Sequence, residues 1–422
     1  MTAGAPPRLA VVGAGWAGLA CAVAAVRAGV RVTVFEAARS TGGRARSVAG
    51  SVPRLDNGQH ILIGAYVETL ALMRQVGADP EALLLRCPLS LRFADGGGLA
   101  LRRGPALPAL LLGIATARGW DLRDRLALLR TALGWRLRGF RCDAGLTVAR
   151  LCAALPPRVL QELIEPLCVS ALNTPMADAS AEVFLRVLRD ALLSVPGGSD
   201  LLLPRADLDA LFPAPAVDWL RRQGAEVLTG SRVARIARDG AGWRVGDARF
   251  DRLVLACPPG EAARLAEDFS AGWSAHARAL AHEPIATVYA QAAGALPRPM
   301  LALRCHADAP AQFVFDRGQL GAPAGLLAFV ASAWHGEREA LQDAVVRQAQ
   351  AQLGLAVTPI ATLVDRRATF ACTPGLQRPP LQIADGLLAC GDYVDGPYPA
   401  TLEGAVRSGL AAAGALAPQR QA

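Results

Sequence analysis

The run Leu9-Ala10-Val11-Val12-Gly13-Ala14-Gly15-Trp16-Ala17-Gly18 limits what this chain can fold into more than any other stretch. A short apolar segment ends in three spaced glycines, and the small residues of 19–28 then read as a helix. The next strand, 30–35, ends at Glu36, eighteen residues beyond Gly18. Gly13 permits a tight strand-to-helix turn, Gly15 lets a pyrophosphate reach the backbone, and Gly18 lets helix and strand pack closely. Free N–H groups at the helix start, at Trp16 and Ala17, face the phosphates, and Glu36 is placed to hold ribose hydroxyls. A strand, this glycine pattern, a helix and an acid at that distance define a dinucleotide-binding unit.

Three further segments narrow the nucleotide. After Glu36 comes Ala37-Ala38-Arg39-Ser40-Thr41-Gly42-Gly43-Arg44, in which Gly43 opens the backbone and Arg44 can donate to phosphate. Near the far end a strand over 386–389 breaks at Cys390-Gly391-Asp392, and a helix of small residues starts at Thr401. Between them lie 231–236 (SRVARI), a hairpin near 240–242 and a strand over 252–256.

The string E-x5-GGR resembles the second fingerprint of the FAD enzymes related to amine oxidases and carotenoid desaturases. The resemblance covers nearly the whole chain. It implies an α/β fold: a Rossmann-like FAD-binding domain of the GR2 type with an interleaved α+β substrate domain of mixed sheet and helices. The FAD domain is expected from 1–85, 204–273 and 372–422. The substrate domain, with a helical apolar lid, is expected from 86–203 and 274–371. By resemblance, the backbone of Val233 meets the adenine, Gly391-Asp392 bind the ribitol and pyrophosphate, and Thr401, Leu402 and Glu403 open the last helix toward the flavin pyrimidine. A helix N-terminus there stabilises an anionic reduced flavin.

Residues 55–60, LDNGQH, hold one of the five histidines in an otherwise apolar region. Many relatives run a strand past the flavin ring at this place, which here is expected over 52–63. Gly58 would give close backbone access, with Gln59 and His60 supplying donors; the alternative is that Asp56 and His60 simply pair and support the loop. The form DNGQH, together with GDYVDGPYPATLEG near the end, looks most like the hydroxysqualene dehydroxylases. That resemblance implies reductive removal of an allylic hydroxyl, for which His60, Tyr398 and Asp395 are the candidate acids, and Asp178, Glu182 and Asp190 weaker ones. A desaturase acting in the opposite redox sense, an amine oxidase and a non-catalytic FAD scaffold are the alternatives. All 44 basic residues are arginines. The lysine that amine oxidases of the group commonly place near the flavin is therefore missing, and no lysine chemistry is available.

The helical part of the substrate region is strongly apolar. Over 120–140, Leu122, Leu126, Leu129, Leu133 and Leu137 share one face, flanked by Arg123, Arg130 and Arg138. This helix either lines the domain core with its leucines or lies on a membrane interface, with Trp120 and Trp135 at headgroup depth. Strands are expected over 287–291, 313–315 and 326–331, and a helix over 337–353. Nine scattered cysteines without a CxxC pair read as reduced thiols, with neither a disulfide frame nor a metal site. Residues 9–26 could pass for a signal-peptide core, but the glycine spacing argues for the turn instead. The chain is expected in the cytoplasm, at the inner face of the membrane. The expected partners are a long apolar isoprenoid and, transiently, other enzymes of the squalene pathway. The formal charge of +8 suits an anionic cofactor or membrane face, and no aromatic-interleaved basic run points to nucleic acid.

Overall fold

The computed structural model describes residues 6–48, 50 and 53–416. Its organising element is a six-stranded sheet in the order Gln382–Ala384, Leu387–Ala389, Arg252–Leu255, Arg8–Val12, Arg31–Phe35, Glu226–Leu228. The last five strands are parallel and Gln382–Ala384 is antiparallel to its neighbour. Strands of a parallel sheet are covered on both faces, which is why Leu9, Ala10 and Val11 form an unbroken apolar run and are buried. Register fixes the site: Val12 pairs with Leu255 on one side and Phe35 on the other, and Leu255 pairs with Ala389. The residues just beyond these strand ends are therefore brought to one crevice at the carboxyl edge of the sheet, where α/β folds bind ligands.

Two helices close one face. Trp16–Arg27 packs along Leu402–Leu416, and a Cβ on Gly409 would run into the Ala17 carbonyl, so only glycine permits this approach. Ile236–Asp239, Gly242–Val245 and Ala248–Phe250 form the expected antiparallel meander, while 231–235 are irregular.

The second layer is a five-stranded antiparallel sheet in the order Met300–Ala302, Phe313–Asp316, Leu326–Ser332, His282–Ala292, Val357–Phe370. Alternation divides its central strand: Ala286, Val288 and Ala290 pack with Leu341 and Val345 of the helix Arg338–Leu353, and Tyr289 joins the opposite core. The strand Val357–Phe370 is not foreshadowed by the sequence reading, because Asp365-Arg366-Arg367 interrupt its apolar pattern at the sheet edge.

Residues 106–193 make the helical layer. Glu162, buried in a π-turn over Leu160–Ile164, accepts from Trp120 Nε1 at 2.9 Å and from Arg304 at 2.7 Å, tying this layer to the second sheet. Both tryptophans are interior, at 4% exposure, which corrects their expected headgroup placement. The helix itself is Leu122–Leu137, closed at its start by an Asp121/Asp124 capping box. Its buried side carries Leu128 and Trp135, whereas Leu122, Leu126, Leu133 and Leu137 are 41–79% exposed. The leucine stripe does not line the core.

The expected strand over 52–63 is reduced to Leu62–Ile63, and Val52 lies outside the described residues. Leu62–Ile63, Leu201–Pro204 and Leu84–Cys87 form a small antiparallel sheet. The domain limits expected at 85/86 and 203/204 thus fall within its paired strands. All nine cysteines are free.

Candidate active site

At the carboxyl edge of the parallel sheet the first glycine turn and the GGR loop touch. Gly15 and Gly42 form a bridge, and Gly42 N donates to Ala14 O at 2.8 Å. A Cβ on Gly43 would lie 3.1 Å from Gly15 Cα. Gly13 has φ +114 and leaves no room for a side chain beneath Ala256, and a Cβ on Gly18 would meet the Gly13 carbonyl. The helix Trp16–Arg27 has Gly15 as its N-cap, with no capping side chain and no acid in its first turn. Its end is left to an anion. Trp16 itself points inward, donating to Ala45 O at 2.9 Å and stacking near Phe212.

Glu36 holds the turn in shape: one carboxylate oxygen accepts from Ala14 N at 2.7 Å and the other from Ala38 N at 2.8 Å. Each oxygen keeps a further lone pair for a ribose hydroxyl. Val233 is buried, and its carbonyl and that of Ala234 accept from Arg264.

The GGR and Gly-Asp motifs meet through an ion pair between Arg44 and Asp392, residues 348 positions apart. Arg44 also donates to the carbonyls of Arg367 and Ala368, and Arg378 donates to those of Asp392 and Tyr398. Gly391 N donates to Ser408 Oγ at 3.1 Å, and a Cβ there would strike the Tyr393 ring. The Tyr393 hydroxyl is buried with no partner in the described chain, although Asp392 and Arg44 lie close enough to act on it electrostatically. Thr401 Oγ1 accepts from Gly404 N at 3.0 Å, which caps the helix Leu402–Leu416 with its N-terminus at this cleft. The backbone cradle and the open helix end together fit a dinucleotide. Gly13, Gly15, Ala17, Gly43, Arg44, Asp392 and the start of the last helix are the groups that could hold FAD there.

The Glu403 side chain has a structural task of its own. It is 1% exposed and its carboxylate accepts from Glu68 N, Thr69 N, Thr69 Oγ1 and Arg407 Nε. The helix Val67–Gln75 begins at Tyr66 without a side-chain cap of its own, so Glu403 supplies that cap from the far end of the chain. Only the backbone of Glu403 remains to contact the cofactor.

The LDNGQH segment is an irregular loop, because Gly58 has φ +88 and the side chains on either side of it are committed to neighbouring elements. Asp56 is 5% exposed, accepts from Ser47 Oγ and Leu208 N, and lies 3.8 Å from Arg317. Its carbonyl accepts from the Tyr289 hydroxyl at 3.1 Å. Asn57 donates to Arg44 O at 2.9 Å, fastening the loop to the GGR turn. A Cβ on Gly58 would lie 3.5 Å from Thr287 Oγ1, which also accepts from Gln59 N at 3.4 Å. Gln59 Oε1 accepts from Arg317. His60 does not hydrogen-bond Asp56; its Nδ1 donates to Gly58 O at 3.0 Å. Burial lowers the His60 pKa, with Gly58 and Asp56 opposing. The neutral ring, protonated on Nδ1, presents Nε2 as an acceptor.

The acid candidates separate. Asp395, Asp178 and Glu182 are exposed, so none sits in the dry surroundings the reaction needs. Tyr398 instead lies beside Asp190 and Arg186 of the helix Ala181–Leu193, and Asp190 itself accepts from Arg186 Nε at 2.8 Å and from Arg189 Nε at 3.2 Å. The guanidiniums of Arg186 and Arg407 lie 5.7 and 5.3 Å from its ring centre, and burial raises its pKa. The sequence reading missed His282, whose pKa burial and the charges of Arg44 and Arg367 lower, with Asp392 opposing. It also missed Thr287, Tyr289, Arg317 and Arg378. Alternation along 282–292 could have shown Thr287 and Tyr289 to share a face.

This is the site of a flavin-dependent oxidoreductase. The sequence pattern of the flavin containing amine oxidoreductases matches residues 16–417, and the chain belongs to that family. It is 28% identical to a hydroxysqualene dehydroxylase of Zymomonas mobilis subsp. mobilis, over 96% of this chain and 97% of that one. It is 29% identical to a hydroxysqualene dehydroxylase of Rhodopseudomonas palustris, over 96% of each chain. An oxidoreductase from Methanosarcina mazei shares the fold, with a TM-score of 0.71 at 16% identity over 96% of this chain and 99% of that one. The chain is an FAD-dependent oxidoreductase of the squalene and carotenoid desaturase type.

Proposed function

We propose that this chain converts hydroxysqualene to squalene by reductive dehydroxylation, within bacterial squalene and hopanoid synthesis. The near-full-length likeness to two enzymes of that name carries the reading, and the site supplies side chains for its chemistry. The allylic carbon–oxygen bond breaks as the oxygen takes a proton and leaves as water. The delocalised cation that remains takes a hydride, which reduced FAD supplies when bound.

The chain must hold the substrate hydroxyl, give it a proton and keep bulk water away. His60 Nε2, an acceptor at neutral pH, is suited to hold the hydroxyl by its hydrogen. Tyr398 is the acid favoured by its surroundings. Its phenol stays protonated at neutral pH because burial and the nearby Asp190 raise its pKa, while the charges of Arg407 and Arg186 offset part of that cost as the proton departs. The neighbouring core is apolar, with Tyr289, Phe313, Phe315 and Val330 facing the helical layer, an environment suited to a long isoprenoid. Amine oxidation is disfavoured by the missing lysine and by Tyr393 and Tyr398. Tyr393 packs beneath Gly391 and Tyr398 lies beside the guanidiniums of Arg186 and Arg407, so they form no pair around an amine.

The test supplies purified flavoprotein with hydroxysqualene and an electron donor, followed by mass spectrometry of the extracted lipid. Squalene, dependent on enzyme and reductant, is the expected product. Dehydrogenation of a more saturated polyisoprene by the oxidised enzyme, with no squalene formed, would establish the desaturase direction instead.

A further inference from the structure

The helix Leu122–Leu137 has two apolar faces. At 3.6 residues per turn, Leu128 and Trp135 fall on the buried side, and Leu122, Leu126, Leu133 and Leu137 fall on the opposite side. Arg123 and Arg130 run along one border of the outer stripe, Arg125 and Arg136 along the other. A helix that only covered a core would be polar on its outer face. The adjoining helix Ala106–Ala115, which packs against it, exposes Leu111 and Leu112 at 55% and 41%. An exposed apolar patch of this kind marks a contact surface.

Charge identifies the contact. Residues 102–141 hold nine arginines against two acids, Asp121 and Asp124. Both acids are taken up in the capping box at the start of the helix. No described helix is long and apolar enough to cross a membrane. An outward leucine stripe between rows of arginine, on a helix lying flat against its own domain, matches the interfacial zone of a bilayer whose headgroups are anionic. We propose that this face docks the enzyme on an anionic lipid surface, leucines entering the acyl boundary and arginines contacting headgroup phosphates.

The placement also serves the site. Ala106–Ala115 packs against Ala181–Leu193 as well, and that helix carries Asp190 and Arg186 to Tyr398. The lipid-facing layer is therefore one helix removed from the proposed acid. This use of the surface rests on the function proposed above; the surface itself does not.

The test is flotation of the full-length flavoprotein with vesicles of phosphatidylcholine alone or mixed with phosphatidylglycerol, at low and high salt, without substrate. The protein should float with the anionic vesicles and far less with the neutral ones. Leu133→Glu/Leu137→Glu should lower partitioning at least about tenfold on both. Arg123→Gln/Arg130→Gln should lower it about tenfold on anionic vesicles only, with the remaining salt dependence reduced. Both variants should keep their flavin and melting midpoint, because the altered side chains are at the surface. Absence of vesicle binding, unchanged binding by the leucine variant, or a stable dimer that the leucine variant dissolves would overturn the proposal. Squalene formation from detergent-dispersed substrate by an enzyme that binds no vesicles would refute the docking and leave the function standing. Vesicle binding without squalene in any dispersion would do the reverse.

Discussion

Two glycines two residues apart should respond differently to the same added methyl group. Gly13 has φ +114, and a Cβ there would lie 2.6 Å from Ala256 O, a backbone atom fixed in the parallel sheet. Gly13→Ala therefore adds about 1–3 kcal/mol of backbone strain and about 1–3 kcal/mol of overpacking. For a domain of some two hundred residues this lowers the melting midpoint by roughly 4–24 °C. Gly15 has φ −75, and its nearest neighbour would be Gly43 Cα at 3.7 Å, an ordinary contact. Gly15→Ala should change apoprotein stability by less than about 1 kcal/mol, the scale of an N-cap exchange. Its methyl projects toward the GGR turn, however, where the pyrophosphate must pass, so FAD affinity should fall at least about a hundredfold, near 3 kcal/mol. The assay pairs a thermal melt of flavin-free protein with flavin absorbance per chain after exhaustive dialysis. The expected result is an unstable Gly13→Ala and a stable but colourless Gly15→Ala. A Gly15→Ala protein that keeps full yellow stoichiometry and affinity would refute the cradle described here.

Glu403→Ala should destabilise the fold by about 3 kcal/mol, since it uncaps Val67–Gln75 and removes the partner of Arg407; a loss of flavin without loss of stability in chemical denaturation would contradict that role. The Asp56 carboxyl is pushed above its ordinary 3.8 by burial, against the opposing effects of Leu208 N, Arg317 and Ser47. A raised folded pKa means that its stabilising contribution is complete below 3.8 and is lost as pH rises through the folded value. Asp56→Asn should therefore flatten the fall in stability over that range, read by urea unfolding at a series of pH values, and an unaltered profile would count against it. Tyr398→Phe should lower turnover by about 10²–10³ while FAD stays bound, and it should remove the alkaline limb of the rate profile; equal turnover would dismiss the phenol as the acid.

The FAD-binding half was legible because its chemistry is local. Gly13, Gly15, Gly18 and Glu36 carry their meaning within one strand–helix–strand unit, and Gly42-Gly43-Arg44 and Gly391-Asp392 carry theirs within single loops. What the sequence hides is partnership at a distance. Nothing near Glu403 announces that it caps a helix 335 residues earlier, because any carboxylate of the right reach would do. The LDNGQH loop stands out in the sequence, yet its Asp56 answers to Ser47, Leu208 and Arg317, contacts that the folding of three separate segments creates. The long strand Val357–Phe370 escaped because an edge strand has weak alternation. For the helix Leu122–Leu137 the leucine stripe was legible, but which of its two apolar faces turns inward depends on Leu128 and Trp135 finding the core.

The central claim is tested most directly without oxygen. The purified flavoprotein is reduced, excess reductant is removed, and hydroxysqualene is added while the oxidised-flavin absorbance is followed and the lipids are extracted. Reappearance of the oxidised flavin band with one squalene formed per flavin is the predicted result. A fully loaded, folded enzyme whose flavin stays reduced and whose hydroxysqualene is recovered intact would contradict the account.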